Sequence, residues 1–206
     1  YLNGTFSIPY GVNGSKSAGK NDIYLNKLSS TCYAKLYVTG NLNPPNGVTT
    51  VATITMSGWK RNKKFLEKSG NLSALTETII SKFSFTDSDW GKQLADSNAA
   101  AVITSPVYVA GTETTDNTRP SGFGKGMTKA NGALGTKSKP FSTIKEALEV
   151  FEDSSKPAEI TIAGTVTGAQ TIGGSGVTIK ANAVTIKGYK ASEATSSSAA
   201  LNGGGS

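Results

Sequence analysis

Between Thr49 and Ser57 the apolar residues Val51, Ile54 and Met56 are set among Thr and Ser, and Glu77 to Phe85 carries Ile79, Ile80, Phe83 and Phe85 in similar β-rich company. Both stretches read as strands. Ala101 to Ala110 adds a further apolar strand, interrupted by Pro106, which points to an edge strand or a bulge because proline cannot donate to a sheet ladder. Turn signals at Asn13-Gly14, Asn43-Pro44-Pro45-Asn46-Gly47 and Ser69-Gly70-Asn71 separate these runs at the spacing of a sandwich. The expectation for residues 1–110 is an immunoglobulin-like β-sandwich.

From Gly111 to Lys139 the apolar residues thin out in favour of Thr, Gly, Asn and Lys, so residues 111–139 read as a linker or a long surface loop. Gly122, Gly124 and Gly126 alternate beside Lys125, but the spacing of a phosphate-binding loop is absent. Thr143-Ile144-Lys145-Glu146 then has the form of a capping box, in which Thr143 accepts from the Glu146 amide and the Glu146 side chain reaches back. Ile144, Ala147, Leu148 and Phe151 follow as one apolar stripe, with Lys145, Glu149, Glu152 and Asp153 facing water and Pro157 ending the helix after about three turns. Those outer carboxylates read as a solvated face rather than an acid/base pair.

Beyond the helix the period changes to two. Glu159 to Gly164, Gly176 to Lys180 and Ala183 to Gly188 are short runs of β-branched residues closed by Gly or another small residue, and Val-Thr-Ile-Lys occurs at both 177 and 184. Short Ile/Val strands at Gly-marked corners are the pattern of a β-solenoid.

The run Gly135-Thr136-Lys137-Ser138-Lys139-Pro140-Phe141-Ser142-Thr143-Ile144-Lys145-Glu146-Ala147-Leu148 resembles the opening motif of right-handed parallel β-helix proteins of the pectate-lyase-like superfamily. The resemblance covers about residues 132 to 190 and implies that the helix caps the first rung of a coil, with a first strand at Ile160 to Ala163. Joined to a Thr-rich β region upstream, it is similar to cell-surface proteins of host-associated bacteria, spirochetes among them. The implied fold is mainly β: an immunoglobulin-like sandwich over 1–110, a linker over 111–139, and a helix-capped β-helix over 140–206. Only about one and a half rungs precede the Ser- and Gly-rich tail, whereas such coils need roughly three or more repeats. A longer parent protein is therefore expected, and no catalytic residue carries over from the resemblance.

Composition narrows the chemistry. The chain has 206 residues, 36% hydrophobic and 17% charged, which fits a folded chain, and it has no apolar run long enough to span a membrane as a helix. With no His, it has no Ser-His-Asp or Cys-His arrangement and no His-ligated zinc. The lone Cys32 can form no internal disulfide and reads as a small buried hydrophobe. The net charge of +7 is unevenly spread: residues 1–110 carry 11 Lys and Arg against 6 acids, and residues 111–206 carry 10 against 8. That density falls short of a dedicated nucleic-acid binder and is compatible with acidic polysaccharide or a membrane surface as partner, or simply with solubility.

One dense basic cluster stands out, Trp59-Lys60-Arg61-Asn62-Lys63-Lys64-Phe65. Trp59, Lys60, Arg61, Lys63 and Lys64 are the candidate ligand-binding residues, able to pair with phosphates or sulfates beside a stacking ring. The alternative is a solvated hairpin tip with Trp59 and Phe65 tucked into the core. Asp87-Ser88-Asp89 offers two oxygen ligands but lacks the rest of an EF-hand, so one of the two Asp is expected to cap a helical turn through Leu94. Sequons at Asn3, Asn13 and Asn71 have meaning only in a eukaryotic secretory route. No catalytic residue, metal ligand or cofactor is assigned. The expected function is noncatalytic, as an extracellular or bacterial cell-surface segment that binds polysaccharide or host extracellular matrix. The alternatives are the N-terminal module of a secreted β-helix lyase or glycosidase, and a structural stalk.

Overall fold

The strict alternation at Ala52–Met56 sets the geometry of the first half of the chain: Ala52, Ile54 and Met56 are buried, while Thr53 and Thr55 point outward. The computed structural model describes residues 2–5, 23–28, 33–44, 46–47, 49–151, 157–172, 179–189 and 200–201. Cys32, the Asn13-Gly14 turn, Gly176 to Thr178, Glu152, Asp153 and most of the Ser- and Gly-rich tail lie outside them. The described residues are mainly β and fall into two units, Tyr1–Ser105 and Pro106–Ser206.

In the first unit the chain runs through β1 (Leu2–Thr5), β2 (Ile23–Leu25), β3 (Leu36–Asn43), β4 (Ala52–Met56), β5 (Lys64–Lys68), α1 (Glu77–Ser81), β6 (Phe83–Phe85), β7 (Gly91–Ala95) and β8 (Ala100–Thr104). The first six strands alternate between two sheets. One sheet takes β1, β3 and β5, the other β2, β4 and β6, and every pair among them is parallel. Among the named strands of this unit, β8 against β5 and β7 against β8 are antiparallel. An immunoglobulin-like sandwich is built from antiparallel Greek-key strands, so the described pairing differs from the one expected for residues 1–110. The reason lies in the connections: they lead each strand into the other sheet, and strands of one sheet meet in parallel only after a full circuit.

The two sheets share a core. Phe65 of β5, fully buried, meets Phe83 and Phe85 of β6 edge-on at 6.3 and 5.1 Å. Each such side chain removed from water contributes roughly 1.5–3 kcal/mol. The stretch Glu77 to Phe85, expected as one strand, divides into α1 and β6. Thr76 accepts from the Ile79 amide at 3.2 Å and caps α1, and the adjacent Ile79 and Ile80 are both buried, which a half-buried strand cannot do.

The second unit contains β9 (Val107–Ala110), α2 (Ile144–Leu148), β10 (Ala158–Ala163), β11 (Thr165–Val166), β12 (Val184–Gly188) and β13 (Ala200–Leu201). Its sheet runs β12, β10, β9, all parallel, with β11 parallel to β13. The strand expected over Ala101 to Ala110 breaks at Ser105-Pro106, where the unit boundary falls, and β9 pairs with β10. Helix α2 packs Ile144, Ala147 and Leu148 on Val107, Val109, Ile160 and Ile162, with Phe151 half-buried beside them. Thr143 accepts from the Glu146 amide at 3.2 Å, as the capping pattern predicts. The reciprocal half is different: Glu146 accepts from the Lys129 amide at 2.9 Å, and Gln170 accepts from the Ile144 amide at 3.0 Å. The regular helix is also shorter than three turns.

Residues 111–139 are not a loose connector. Gly126 donates to the Gly111 carbonyl at 2.7 Å, Met127 and Val109 both bridge to Phe141, and Arg119 donates to the Glu113 and Thr114 carbonyls at 2.9 and 3.0 Å. The alternating glycines serve this packing, since a Cβ on Gly126 would stand 1.9 Å from the Ala110 carbonyl oxygen and one on Gly124 2.0 Å from that of Ser138.

Candidate functional site

The basic cluster occupies the corner between β4 and β5. Because these strands belong to different sheets, Ser57 to Lys63 forms a turn from one sheet to the other and not the tip of a hairpin. Asn62 makes the bend in the left-handed region (φ 62°), which asparagine tolerates better than most residues, and its amide donates to the Ile103 carbonyl at 2.9 Å.

Most of the cluster is engaged within the first unit. Trp59 meets Phe85 edge-on at 5.2 Å and stacks on Trp90 at 5.7 Å with 15° between planes. Phe65 is fully buried. Arg61 donates from Nε to the Ser105 carbonyl at 2.7 Å, and its guanidinium lies 5.4 Å from the Trp90 ring centre. Lys63 stands 5.3 Å over the Tyr33 ring. Lys64 pairs with Asp96 at 2.6 Å and Glu67 at 3.2 Å, which raises its pKa, and Glu67 also binds Lys35 at 2.6 Å. Burial pushes the Glu67 carboxyl up, but its bonds to Lys35 and Lys64 outweigh that and hold it below the ordinary range. In the same turn Lys60 is exposed and Lys63 half-buried. Trp90 is buried and Trp59 half-buried.

No protein-family model matches the chain, and neither a curated protein nor a solved structure matches it.

Asp87 and Asp89 form no helix cap. Asp87 Oδ1 accepts from the Asp89 amide at 3.0 Å in a tight turn, and β7 begins at Gly91 where a helical turn was expected. Among the described residues no group of three or more His, Cys, Asp or Glu could hold a metal ion. No described helix is long and apolar enough to cross a membrane. In the second unit a cleft of about 410 Å³ is lined by Thr112, Lys125, Met127, Thr128 and Ser142 among others, with no acid on its wall.

Trp90, Ser105 and Tyr33 complete the corner from distant parts of the chain. A usable signal for Trp90 was present. Ile23 pairs with Ile54 and Ile54 with Phe85, and Thr55 bonds Thr86 across a chain separation of 31. Trp59 and Trp90 stand the same distance apart along the chain. An internal repeat of this length is the mark of stacked units.

Proposed function

We propose that this chain is a noncatalytic segment of an extracellular or bacterial cell-surface protein, binding anionic polysaccharide or host-matrix polyanions through the corner at Lys60 and Lys63. The observation that carries this reading is the packing of the corner around the cations: Trp59 stacked on Trp90, Arg61 bonded to the Ser105 carbonyl, and Lys63 over the Tyr33 ring. Cations on a preorganised base lose little freedom on binding. The architecture we propose for each unit, taken by itself, is a right-handed parallel coil of the pectate-lyase-like kind, which in the first unit stands in place of an immunoglobulin-like sandwich. It is supported by the parallel strands that alternate between two sheets and, in the second unit, by α2 lying across β9 and β10. Similarity to spirochete surface proteins belongs to the same proposal. The same strand order favours a second reading, a structural stalk that spaces a distal head.

Retention on heparin-agarose at low salt tests the first reading, with the double variant Lys60→Glu/Lys63→Glu beside the parent chain. The parent should be retained and should elute as salt rises, because exposed charges are screened. The double variant should flow through with an unchanged unfolding midpoint. Equal retention of both proteins would remove the corner from consideration, and passage of the parent chain would favour the stalk.

A further inference from the structure

The two sheets of the first unit end differently. In one, the parallel run stops at β5, against which β8 lies antiparallel with β7 outside it. In the other, β6 is the last of the named strands. The Lys82 carbonyl accepts from the Val51 amide at 2.7 Å, and the Thr86 amide donates to the Ile54 carbonyl at 3.0 Å. Alternate residues of a strand serve opposite neighbours, so Lys82, Ser84 and Thr86 face β4, and the N–H and C=O groups of Phe83 and Phe85 point to the outer edge. Lys92 of β7 reaches over that edge. Its ammonium donates to the Phe83 carbonyl and stands 5.6 Å from the Phe85 ring centre. The side chain is half-buried without a carboxylate partner among the described residues, and burial pushes its pKa down. A cation held this way costs stability that an apolar side chain on the same strand would not.

We propose that Lys92 guards the edge of β6 against pairing with β6 of a second copy of this chain. The strand is complementary to itself. When two copies meet antiparallel about a two-fold axis at Ser84, Phe83 of one stands opposite Phe85 of the other, and each such pair exchanges both of its N–H···O bonds. That register satisfies every outward backbone group of Phe83 and Phe85 and sets the two Ser84 side chains face to face. It asks for no sequence beyond β6 itself, and Phe-Ser-Phe carries no charge to repel its copy. A second copy is for these reasons the occupant that the bare edge would take. The Lys92 ammonium prevents it in two ways. It withdraws the Phe83 carbonyl from the exchange, and it would bring like charges together beside the axis. Lysine is a common means of blunting a sheet edge, and here it is supplied by a strand of the other sheet.

The test is the mass of the whole chain in solution, followed by sedimentation velocity over a range of concentrations for the parent, Lys92→Met, Lys92→Ala and Lys92→Arg. The parent and Lys92→Arg, which keeps a cationic donor, should stay monomeric where Lys92→Met and Lys92→Ala form dimers. Loss of the ammonium should tighten association at least about tenfold, the size of one hydrogen bond to a charged group. Lys92→Met should keep or raise the unfolding midpoint, because it removes a desolvated charge, and hydrogen exchange at the Phe83 and Phe85 amides should slow as its dimer forms. Adding Ser84→Lys to Lys92→Met should restore the monomer by placing like charges opposite each other across the axis. The proposal is overturned if Lys92→Met and Lys92→Ala remain as monomeric as the parent, or if both fail to fold, which would make Lys92 a packing residue only. It is equally overturned if the parent dimerises as tightly as they do, or if the dimer leaves the β6 amides unprotected or survives Ser84→Lys.

Discussion

Asp96, Ser97 and Asn98 occupy the left-handed region in succession, with φ of 53°, 51° and 67°, in the turn from β7 to β8. Each L-residue there costs about 1–2 kcal/mol, least for Asn and Asp, which bond locally. The turn is held by its surroundings: Asp96 pairs with Lys64, and the Asn98 carbonyl accepts from the Leu75 amide at 2.8 Å. Ser97 has the least reason to tolerate the conformation. Ser97→Gly should therefore stabilise the first unit by roughly 0.5 kcal/mol, the strain relieved less the chain entropy that glycine adds, read as a higher urea midpoint. A lower midpoint would show that the turn is not strained. Glycine in the opposite sense is seen at Gly126, where there is no room for a side chain. Gly126→Ala should cost at least about 2 kcal/mol through forced backbone movement.

At the scale of an element, α2 depends on Thr143. Thr143→Ala should destabilise the second unit by about 1 kcal/mol, the usual worth of an N-cap, by calorimetry or chemical unfolding. The loss should stay near that value because Gln170 also serves the helix start. Strand β5 has a pH-dependent partner. A carboxyl with a depressed folded-state pKa contributes stability that is present above its unfolded value and lost as pH falls through the folded one. Glu67, held low by Lys35 and Lys64, should thus contribute to acid unfolding of the first unit. Glu67→Gln should be less stable than the parent at neutral pH and should lose less stability on acidification below the carboxylate range, followed by circular dichroism. Identical acid limbs would show that the two lysines give Glu67 no net stabilisation.

For the molecule as a whole, both Trp residues, Trp59 and Trp90, lie in the first unit, and each unit has its own buried apolar cluster. Tryptophan fluorescence should therefore follow the first unit alone. In Gly126→Ala, unfolding seen by circular dichroism should split into two steps while the fluorescence step stays in place, and a joint shift would mean that the units unfold together. The mainly β class, β4, β10, β12 and the stripe of α2 were legible because their polar and apolar positions follow one period. Helix α1 was hidden by β-rich neighbours, and the role of residues 111–139 was hidden because the close approaches of Gly124 and Gly126 leave no mark on hydropathy. Parallel pairing in the first unit could have been read from the recurrence of Ile23, Ile54 and Phe85, an interval that local windows do not span. At the corner, the charges were visible at once, but their pairing was not, since Ser105, Trp90 and Asp96 come from beyond the cluster. The equal intervals separating Ile23, Ile54 and Phe85 have one more consequence. Within the β2, β4, β6 sheet, a gene segment encoding one whole interval could be copied or deleted and still bring an apolar residue to the inward position that Ile23, Ile54 and Phe85 share.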